Sequence, residues 1–207
     1  MSTLKLYRHL LSGHAHRAEL FLSILGLDAE IIDIDVMQGE QKYPEFLKKN
    51  IFGQVPVLED EGVTIADSNA ILVYLAGQYD HQHTWLPNNS VQAAEVQRFL
   101  SIAAGPVASG PAAARLANVF NAKLDHAKAI ETAHNTLTIM NNHLEGRYWL
   151  AGDHPTIADL SNYAYIAHAP EGNVSLQDYP NLRAWLQRIE ALPGFIPMQS
   201  SAVGLVA

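Results

Sequence analysis

The sequence predicts an α/β domain followed by an all-helical domain. The first third of the chain alternates strand-like and helix-like patterns, whereas only helical periodicity recurs beyond residue 89. The chain has 207 residues, of which 48% are hydrophobic, so it can bury two modest cores. We therefore expect an α/β domain at residues 1–78, a linker at 79–89 and a helical domain at 90–207.

The first elements predict a βαβ unit. The segments LKLY at 4–7 and EIIDIDV at 30–36 are typical of strands, and apolar residues recur at helical spacing over 15–25. Gly26 follows this helix at the position of a left-handed C-cap residue. A strand, a helix and a second strand therefore begin the domain.

Two further strands and a helix complete the α/β domain. Residues 55–60 and 63–66 have strand patterns, and the DEG segment that joins them is typical of a hairpin. A helix is expected at 68–78. The predicted element order is βαβ, an additional helix in the polar stretch, and then ββα.

The rest of the chain carries only helix signals. After the polar linker YDHQHTWLPNN, apolar faces recur at helical spacing within 96–103, 124–144, 160–167 and 182–189. Helix ends are expected at Gly105 with Pro106 and at Gly146. Helix starts are expected at a capping box of Thr156 and Asp159 and at Pro180, which is typical of a first turn.

Composition excludes several classes of function. The net charge is -8 and no Lys/Arg cluster stands out, so nucleic acid is not an expected partner. No stretch reaches the roughly 20 apolar residues of a membrane span, and the first residues lack the apolar core of a signal peptide. We therefore expect a cytoplasmic protein with no membrane partner. The chain has no cysteine, so it can form neither a disulfide nor a protein thiolate.

The turn before the first helix carries the first group of polar residues. Ser12 can cap the helix, and its hydroxyl together with the helix N-terminus can also hold an anion. His14 and His16 are two residues apart and face different sides of a helix, so we predict no metal site. Arg17 is expected to pack or to pair with a carboxylate. Tyr7 is a competing hydroxyl, but it lies inside the strand, and Ser12 is preferred.

Two other segments suggest a site for a peptide-like ligand. Val55-Pro56 begins a strand with a residue that cannot donate a ladder hydrogen bond, so we expect an edge position or a cis bond. An extended peptide could then pair with the Val55 backbone, although a simple strand start is the alternative. Asp67 and Ser68 precede a helix, and they either cap it or receive a carboxylate at its N-terminus.

Four segments follow one another in this order: LSGHAHR, NIFGQVPVLED, ADSNAILVYLA and TIAD. On these segments the sequence resembles the cytosolic glutathione S-transferase family, in its bacterial branch, over essentially the whole chain. The resemblance implies a thioredoxin-like first domain and a helical second domain. It implies a transferase with glutathione as co-substrate, no metal, a small hydrophobic electrophile as second substrate and a homodimer. Detoxification is the expected role.

The resemblance also assigns residues. Ser12 matches the hydroxyl that activates the glutathione thiol, and His14 stands where related sequences often have Asn. The glutathione-binding positions it implies are Val55 and Pro56 for the cysteinyl backbone, Asp67 and Ser68 for the γ-glutamyl end, and Lys42 and Gln54 near the glycyl carboxylate. Phe52 resembles an aromatic residue that some dimers insert into the partner subunit.

The sequence departs from the family pattern in two places and leaves the reaction open. Ile51 stands where the family often has Pro, and the imidazole of His14 could donate to the thiolate, act as a base or point away. Because there is no cysteine, branches that use a protein thiol are excluded. We expect glutathione thiolate to attack an electrophile held between residues 11–14 and the small, flexible segment 105–115. The alternatives are a peroxidase or disulfide reductase that uses two glutathiones, or a non-catalytic binding protein.

Overall fold

The computed structural model describes residues 4–205 and divides into two compact units. The first unit runs to His83 and includes Pro193–Gln199. The second comprises Thr84–Leu192 and the tail from Ser200 onward. The outer limits of the predicted domains, residues 1 and 207, lie outside the described residues, and the inner limits at 78 and 90 stay predictions.

The first unit is a four-stranded mixed sheet with helices. Strand β1 pairs in parallel with β2 and antiparallel with β3, which pairs antiparallel with β4, so the strand order is β2-β1-β3-β4. Helices α1 and α3 pack against each other. The elements are β1 (Lys5–Arg8), α1 (Gly13–Ile24), β2 (Glu30–Asp33), α2 (Pro44–Leu47), β3 (Val57–Asp60), β4 (Val63–Ala66) and α3 (Ser68–Tyr79).

Local side-chain contacts set the element boundaries. Helix α1 begins two residues before the predicted position, because the Ser12 Oγ caps it by accepting the Ala15 N–H at 3.2 Å. Gly26, with a φ of +66°, follows the helix as predicted. Strand β2 ends three residues early, because the Asp35 carboxylate accepts from the Met37 and Gln38 N–H groups and turns the chain.

The second unit consists of helices and the segments that connect them, and its described part contains no strand. This confirms the predicted fold class, a thioredoxin-like α/β domain followed by an all-helical one. No helix within residues 4–205 is both long and apolar enough to cross a membrane. The helices are α4 (Ser90–Ala104), α5 (Ala113–Val119), α6 (His126–His143), α7 (Ile157–Ala167) and α8 (Pro180–Glu190), with a π-helical turn at Ala108–Ala112.

The second part of the small-residue segment 105–115 is closely packed, which differs from the expectation of a flexible segment. A Cβ atom added to Gly110 would lie 2.8 Å from the Ala133 backbone nitrogen of α6. Arg115, five residues later, is fully buried. Small residues here allow the π-helical turn to approach α6.

The predicted capping box is formed at the start of α7 and continues into the core. Thr156 caps the helix, and the Asp159 carboxylate accepts the Thr156 N–H at 2.9 Å. The same carboxylate accepts from the Leu150 N–H at 2.9 Å and from the Trp185 indole N–H at 2.8 Å. Burial raises the pKa of Asp159, although these hydrogen bonds oppose the rise.

A second buried carboxylate holds the C-terminal tail in the second unit. Glu171 accepts from Arg115 Nε at 2.7 Å and lies 2.6 Å from His168 Nδ1. The Ser201 N–H and hydroxyl donate to the same carboxylate at 3.2 and 2.9 Å. The tail is therefore bound to a charged cluster built from α5 and the turn after α7.

This cluster predicts acid lability. Burial raises the pKa of Glu171, but the His168 hydrogen bond, the Arg115 charge and the Ser201 donors outweigh it, so the pKa lies below its ordinary value. A carboxyl group with a lowered pKa in the folded state stabilises the protein at neutral pH, and this stabilisation is lost as pH falls through that lowered pKa.

We expect the free energy of unfolding to decrease below about pH 4.3, the ordinary Glu pKa, in a urea titration series. A Glu171→Gln variant is expected to be less stable at pH 7 and to lack this part of the acid dependence. Parallel pH profiles for the two proteins would contradict the assignment.

Candidate active site

The sheet topology brings four segments to one end of the first unit. Tyr7 near the end of β1 pairs with Val57 at the start of β3, and Val57 pairs with Ala66 at the end of β4. The parallel strand β2 also ends there. The turn with Ser12, the segment before β3, the start of α3 and the chain that follows β2 therefore leave the sheet at the same end.

Ser12 presents its hydroxyl at the N-terminus of α1. Its N–H donates to the His9 carbonyl at 2.9 Å, and its Oγ accepts from Ala15. Because the cap uses the oxygen as an acceptor, the hydroxyl proton is available to a ligand. The first-turn N–H groups of a helix have no intrahelical acceptor, and the helix dipole favours an anion beside them.

The Tyr7 hydroxyl forms a hydrogen bond away from Ser12. It donates to the Glu59 carboxylate at 2.8 Å, and Lys49 pairs with that carboxylate and lies over the Tyr7 ring. This arrangement supports the preference for Ser12 over Tyr7.

His14, Arg17 and Ser68 form a hydrogen-bonded cluster between α1 and α3. Arg17 Nη1 donates to Ser68 Oγ at 2.8 Å and to Asn69 Oδ1 at 2.7 Å, and His14 Nδ1 lies 3.1 Å from Ser68 Oγ. Arg17 is 1% exposed and Ser68 is 3% exposed, so the cationic group and the hydroxyl are both held inside the fold.

His14 is a neutral imidazole at physiological pH. Burial, and secondarily the charge of Arg17, lowers the pKa of His14 to about 3. A group with this pKa does not hold a proton at pH 7, so His14 is poorly suited to act as a base for a thiol.

Asp67 joins β4 to α3 in an unusual backbone conformation. Its φ is +77° and its ψ is 128°, a region that costs a non-glycine residue about 1–3 kcal/mol. The carboxylate Oδ1 caps α3 by accepting the Asn69 and Ala70 N–H groups at 2.9 and 3.0 Å. Within residues 4–205, nothing donates a hydrogen bond to Oδ2. Strained backbone of this kind is concentrated at functional sites.

The Val55-Pro56 peptide bond is cis, as expected, and directly precedes β3. No group in the described part of the chain makes a hydrogen bond to the Val55 backbone. Val55 therefore offers an N–H and a C=O at the end of the sheet where Ser12 lies.

Lys42 and Gln54 lie on the loops beside this segment. Lys42 Nζ donates to the Phe52 carbonyl at 2.9 Å, and the side chains of Lys42 and Gln54 are exposed. Their hydrogen bonds within residues 4–205 do not involve Ser12, His14 or Ser68. The structure thus joins His14 directly to Ser68, whereas Lys42 and Gln54 make no direct hydrogen bond to that cluster.

Gly53 is required where these loops meet. Its φ is +56°, and an added Cβ would lie 2.6 Å from the Gln41 carbonyl oxygen and 2.9 Å from Lys42 Cδ. We expect Gly53→Ala to lower the free energy of unfolding by about 1–3 kcal/mol, since it adds both backbone strain and a clash. Urea unfolding measures this, with Gly77→Ala as control, because a Cβ at Gly77 has no neighbour within 4 Å. Equal stability of the two variants would contradict the prediction.

Arg17 is the site residue that sequence reasoning did not assign. The sequence predicts that Arg17 packs or pairs with a carboxylate, whereas its hydrogen bond to Ser68 joins residues 51 positions apart in the chain. The available signal was spacing: His14 and Arg17 are three residues apart in α1 and so share a helix face. Within residues 4–205, no group of three or more metal-binding side chains is found.

Comparisons with known proteins agree with this architecture. Residues 2–77 match the glutathione S-transferase N-terminal domain, and residues 102–193 match the glutathione S-transferase C-terminal domain. Glutathione S-transferase 3 of Zea mays is 32% identical over 205 residues, covering 94% of this chain and 92% of its own.

Solved structures give the same result. A glutathione S-transferase from Pseudomonas fluorescens superposes with a TM-score of 0.90 at 31% identity, covering 96% of this chain and 100% of its own. A glutathione transferase homolog from Drosophila mojavensis, solved with bound glutathione, has a TM-score of 0.85 at 29% identity, covering 93% and 90% of the two chains. On the evidence of both domains and of relatives that match nearly its full length, the chain belongs to the glutathione S-transferase family of enzymes.

Proposed function

We propose that this protein binds glutathione at the end of its sheet and stabilises the glutathione thiolate with Ser12 for attack on a small hydrophobic electrophile. One observation carries the proposal. Three groups lie on segments at the same end of the sheet: the Ser12 hydroxyl, the unpaired Val55 backbone and the start of α3 at Ser68. An extended peptide with an anionic sulfur needs these three kinds of partner.

The chemistry of the segments matches the parts of glutathione. Asp67 Oδ2 can accept from the γ-glutamyl ammonium group, and the Ser68 hydroxyl and N–H can donate to the adjacent carboxylate. The Val55 backbone can pair with the cysteinyl residue as an added strand would. Lys42 supplies a cation for the glycyl carboxylate, and Gln54 supplies an amide.

The size of the effect on the thiol follows from general magnitudes. A thiol with a pKa of about 8.5 is only a few per cent ionised at neutral pH. A hydrogen bond to a charged group contributes about 1.5–3 kcal/mol, and a helix N-terminus contributes about 0.3–2 kcal/mol. Since about 1.4 kcal/mol corresponds to one pKa unit, the two effects lower the thiol pKa by about one to three units.

The transfer step needs no base from the protein once the thiolate is formed. The thiol proton leaves to solvent on binding, and the Ser12 hydroxyl, which keeps its proton, donates a hydrogen bond to the sulfur anion. The thiolate then forms a carbon–sulfur bond with the electrophile, and with an aromatic halide the halide leaves with its electron pair. His14 is not assigned as the base, because its pKa is about 3.

Turnover assays test this function. We expect conjugation of glutathione to an activated aromatic halide, followed by absorbance of the thioether product. Reduction of a hydroperoxide at the expense of two glutathiones, without conjugation, would replace the proposal with the peroxidase alternative. Tight glutathione binding without either reaction would make the protein a non-catalytic binder.

The proposal includes a homodimer. The loop before Gly53 exposes two apolar side chains, Ile51 at 81% and Phe52 at 72%. Two large apolar side chains exposed side by side form a contiguous apolar patch, and such patches mark protein–protein interaction sites. We expect Phe52→Ser to shift the protein towards a monomer at micromolar concentration in light scattering, with Ile139→Ser, which alters a 70% exposed side chain on α6, as control. A wild-type monomer would contradict the dimer.

A further inference from the structure

The Ser68 hydroxyl has one proton, and two side chains, Arg17 and His14, lie within hydrogen-bond distance of its oxygen. Arg17 carries only donors, so Ser68 Oγ accepts from Arg17 Nη1 at 2.8 Å. His14 Nδ1 lies 3.1 Å from the same oxygen, and a neutral imidazole can either donate or accept there. Two arrangements are therefore open to the pair.

The two arrangements differ in what remains for a ligand. If Ser68 donates to His14 Nδ1, its only proton is used inside the cluster. If His14 carries its proton on Nδ1 and donates to Ser68, the oxygen accepts from both His14 and Arg17, and the hydroxyl proton is free. A ligand carboxylate only accepts hydrogen bonds, so it can use Ser68 only in the second arrangement.

We propose that His14 is a positioning residue, whose Nδ1–H donates to Ser68 Oγ and thereby directs the Ser68 hydroxyl proton onto the γ-glutamyl carboxylate of bound glutathione. The inference rests on the proposed function for its ligand. It assigns His14 a role in recognition of the carboxylate and separates that role from the chemistry at the sulfur.

The surroundings favour this arrangement. Arg17 donates at short distance to the Ser68 oxygen, and a hydroxyl that accepts from a cation is a stronger donor in turn. The imidazole stays neutral, so it can hold one proton on Nδ1 without adding a second buried charge beside Arg17. Ser68 also begins α3, where its N–H has no intrahelical acceptor and can join the hydroxyl on the same carboxylate.

A double-mutant cycle tests the connection through Ser68. The titrant is S-methylglutathione, which keeps the γ-glutamyl group and has no thiol to ionise. We expect His14→Phe to weaken its binding about 5-fold, the effect of one lost hydrogen bond between neutral groups, because the Ser68 oxygen loses the donor that fixes the direction of its proton. On a Ser68→Ala background, the same change is expected to have less than about a 2-fold effect, because the hydroxyl that His14 orients is gone.

Two further variants control this experiment. His14→Asn keeps an N–H donor and is expected to recover part of the lost affinity, whereas His81→Phe alters an exposed histidine and is expected to bind as the wild type does. Equal losses from His14→Phe on both backgrounds would overturn the inference while leaving the proposed function intact. If the wild type does not bind S-methylglutathione, the proposed function and the inference both fail.

The ring protonation of the wild-type protein gives an independent readout. Two-bond ¹H–¹⁵N spectra show which imidazole nitrogen carries the proton, and the His14 signal is assigned by its absence in His14→Asn. We expect the Nδ1–H form in the complex with S-methylglutathione. The Nε2–H form in that complex would overturn the inference, even if His14→Phe fails to fold.

Discussion

Replacing Ser12 by Ala is expected to lower turnover about 10- to 100-fold, the effect of losing one hydrogen bond to a developing or formed anion. Glutathione binding is expected to change little, because the contacts with the γ-glutamyl and cysteinyl parts remain. Steady-state kinetics with an activated aromatic halide, together with calorimetric binding, separate the two effects.

The variant also removes the cap of α1, so stability must be controlled. Loss of a cap costs about 0.5–2 kcal/mol. Asn89→Ala removes the cap of α4 in the second unit and is expected to lower stability similarly, with turnover unchanged. Ser12→Thr retains both the cap and the hydroxyl, and it is expected to keep most of the activity. If Ser12→Ala turns over at the wild-type rate, Ser12 is not the group that activates the thiol.

Replacing Asp159 by Ala is expected to lower the free energy of unfolding by about 3–5 kcal/mol. The change leaves the N–H groups of Thr156, Leu150 and Trp185 without their acceptor inside the second unit. An unsatisfied buried donor costs about 1–3 kcal/mol, and some relaxation reduces the sum. Urea or thermal unfolding at pH 7 measures the loss.

Asp153→Ala is the matched control, because the Asp153 carboxylate is 96% exposed and lies only six residues earlier. We expect the control to change stability little. The predicted role of Asp159 would be wrong if its Ala variant lost no more stability than the Asp153 variant.

Local signals in the sequence were sufficient for the fold class and several boundaries. Ser12, Gly26 and the Thr156–Asp159 pair each act within one turn of helix, and the structure confirms all three. The end of β2 was missed because β-branched residues continue to Val36, whereas the Asp35 side chain turns the backbone before that point.

Long-range contacts could not be read from the sequence. Arg115 and Glu171 are 56 residues apart, and nothing local identifies them as partners. Arg17 donates to Ser68, 51 residues later in the chain, and this contact could not be predicted. The three-residue spacing to His14 predicts only that the two side chains share a face of α1. The packing of Gly110 could not be predicted, because small residues are typical both of flexible chain and of close helix packing, and only the position of α6 decides between them.

The central claim is that the site binds glutathione and converts it to thiolate. Calorimetric titration of glutathione in two buffers of different ionisation enthalpy measures the affinity and the number of protons released. We expect glutathione to bind with net proton release near neutral pH, and S-methylglutathione to bind without proton release. Binding of glutathione with no proton release, or no binding at all, would contradict the claim.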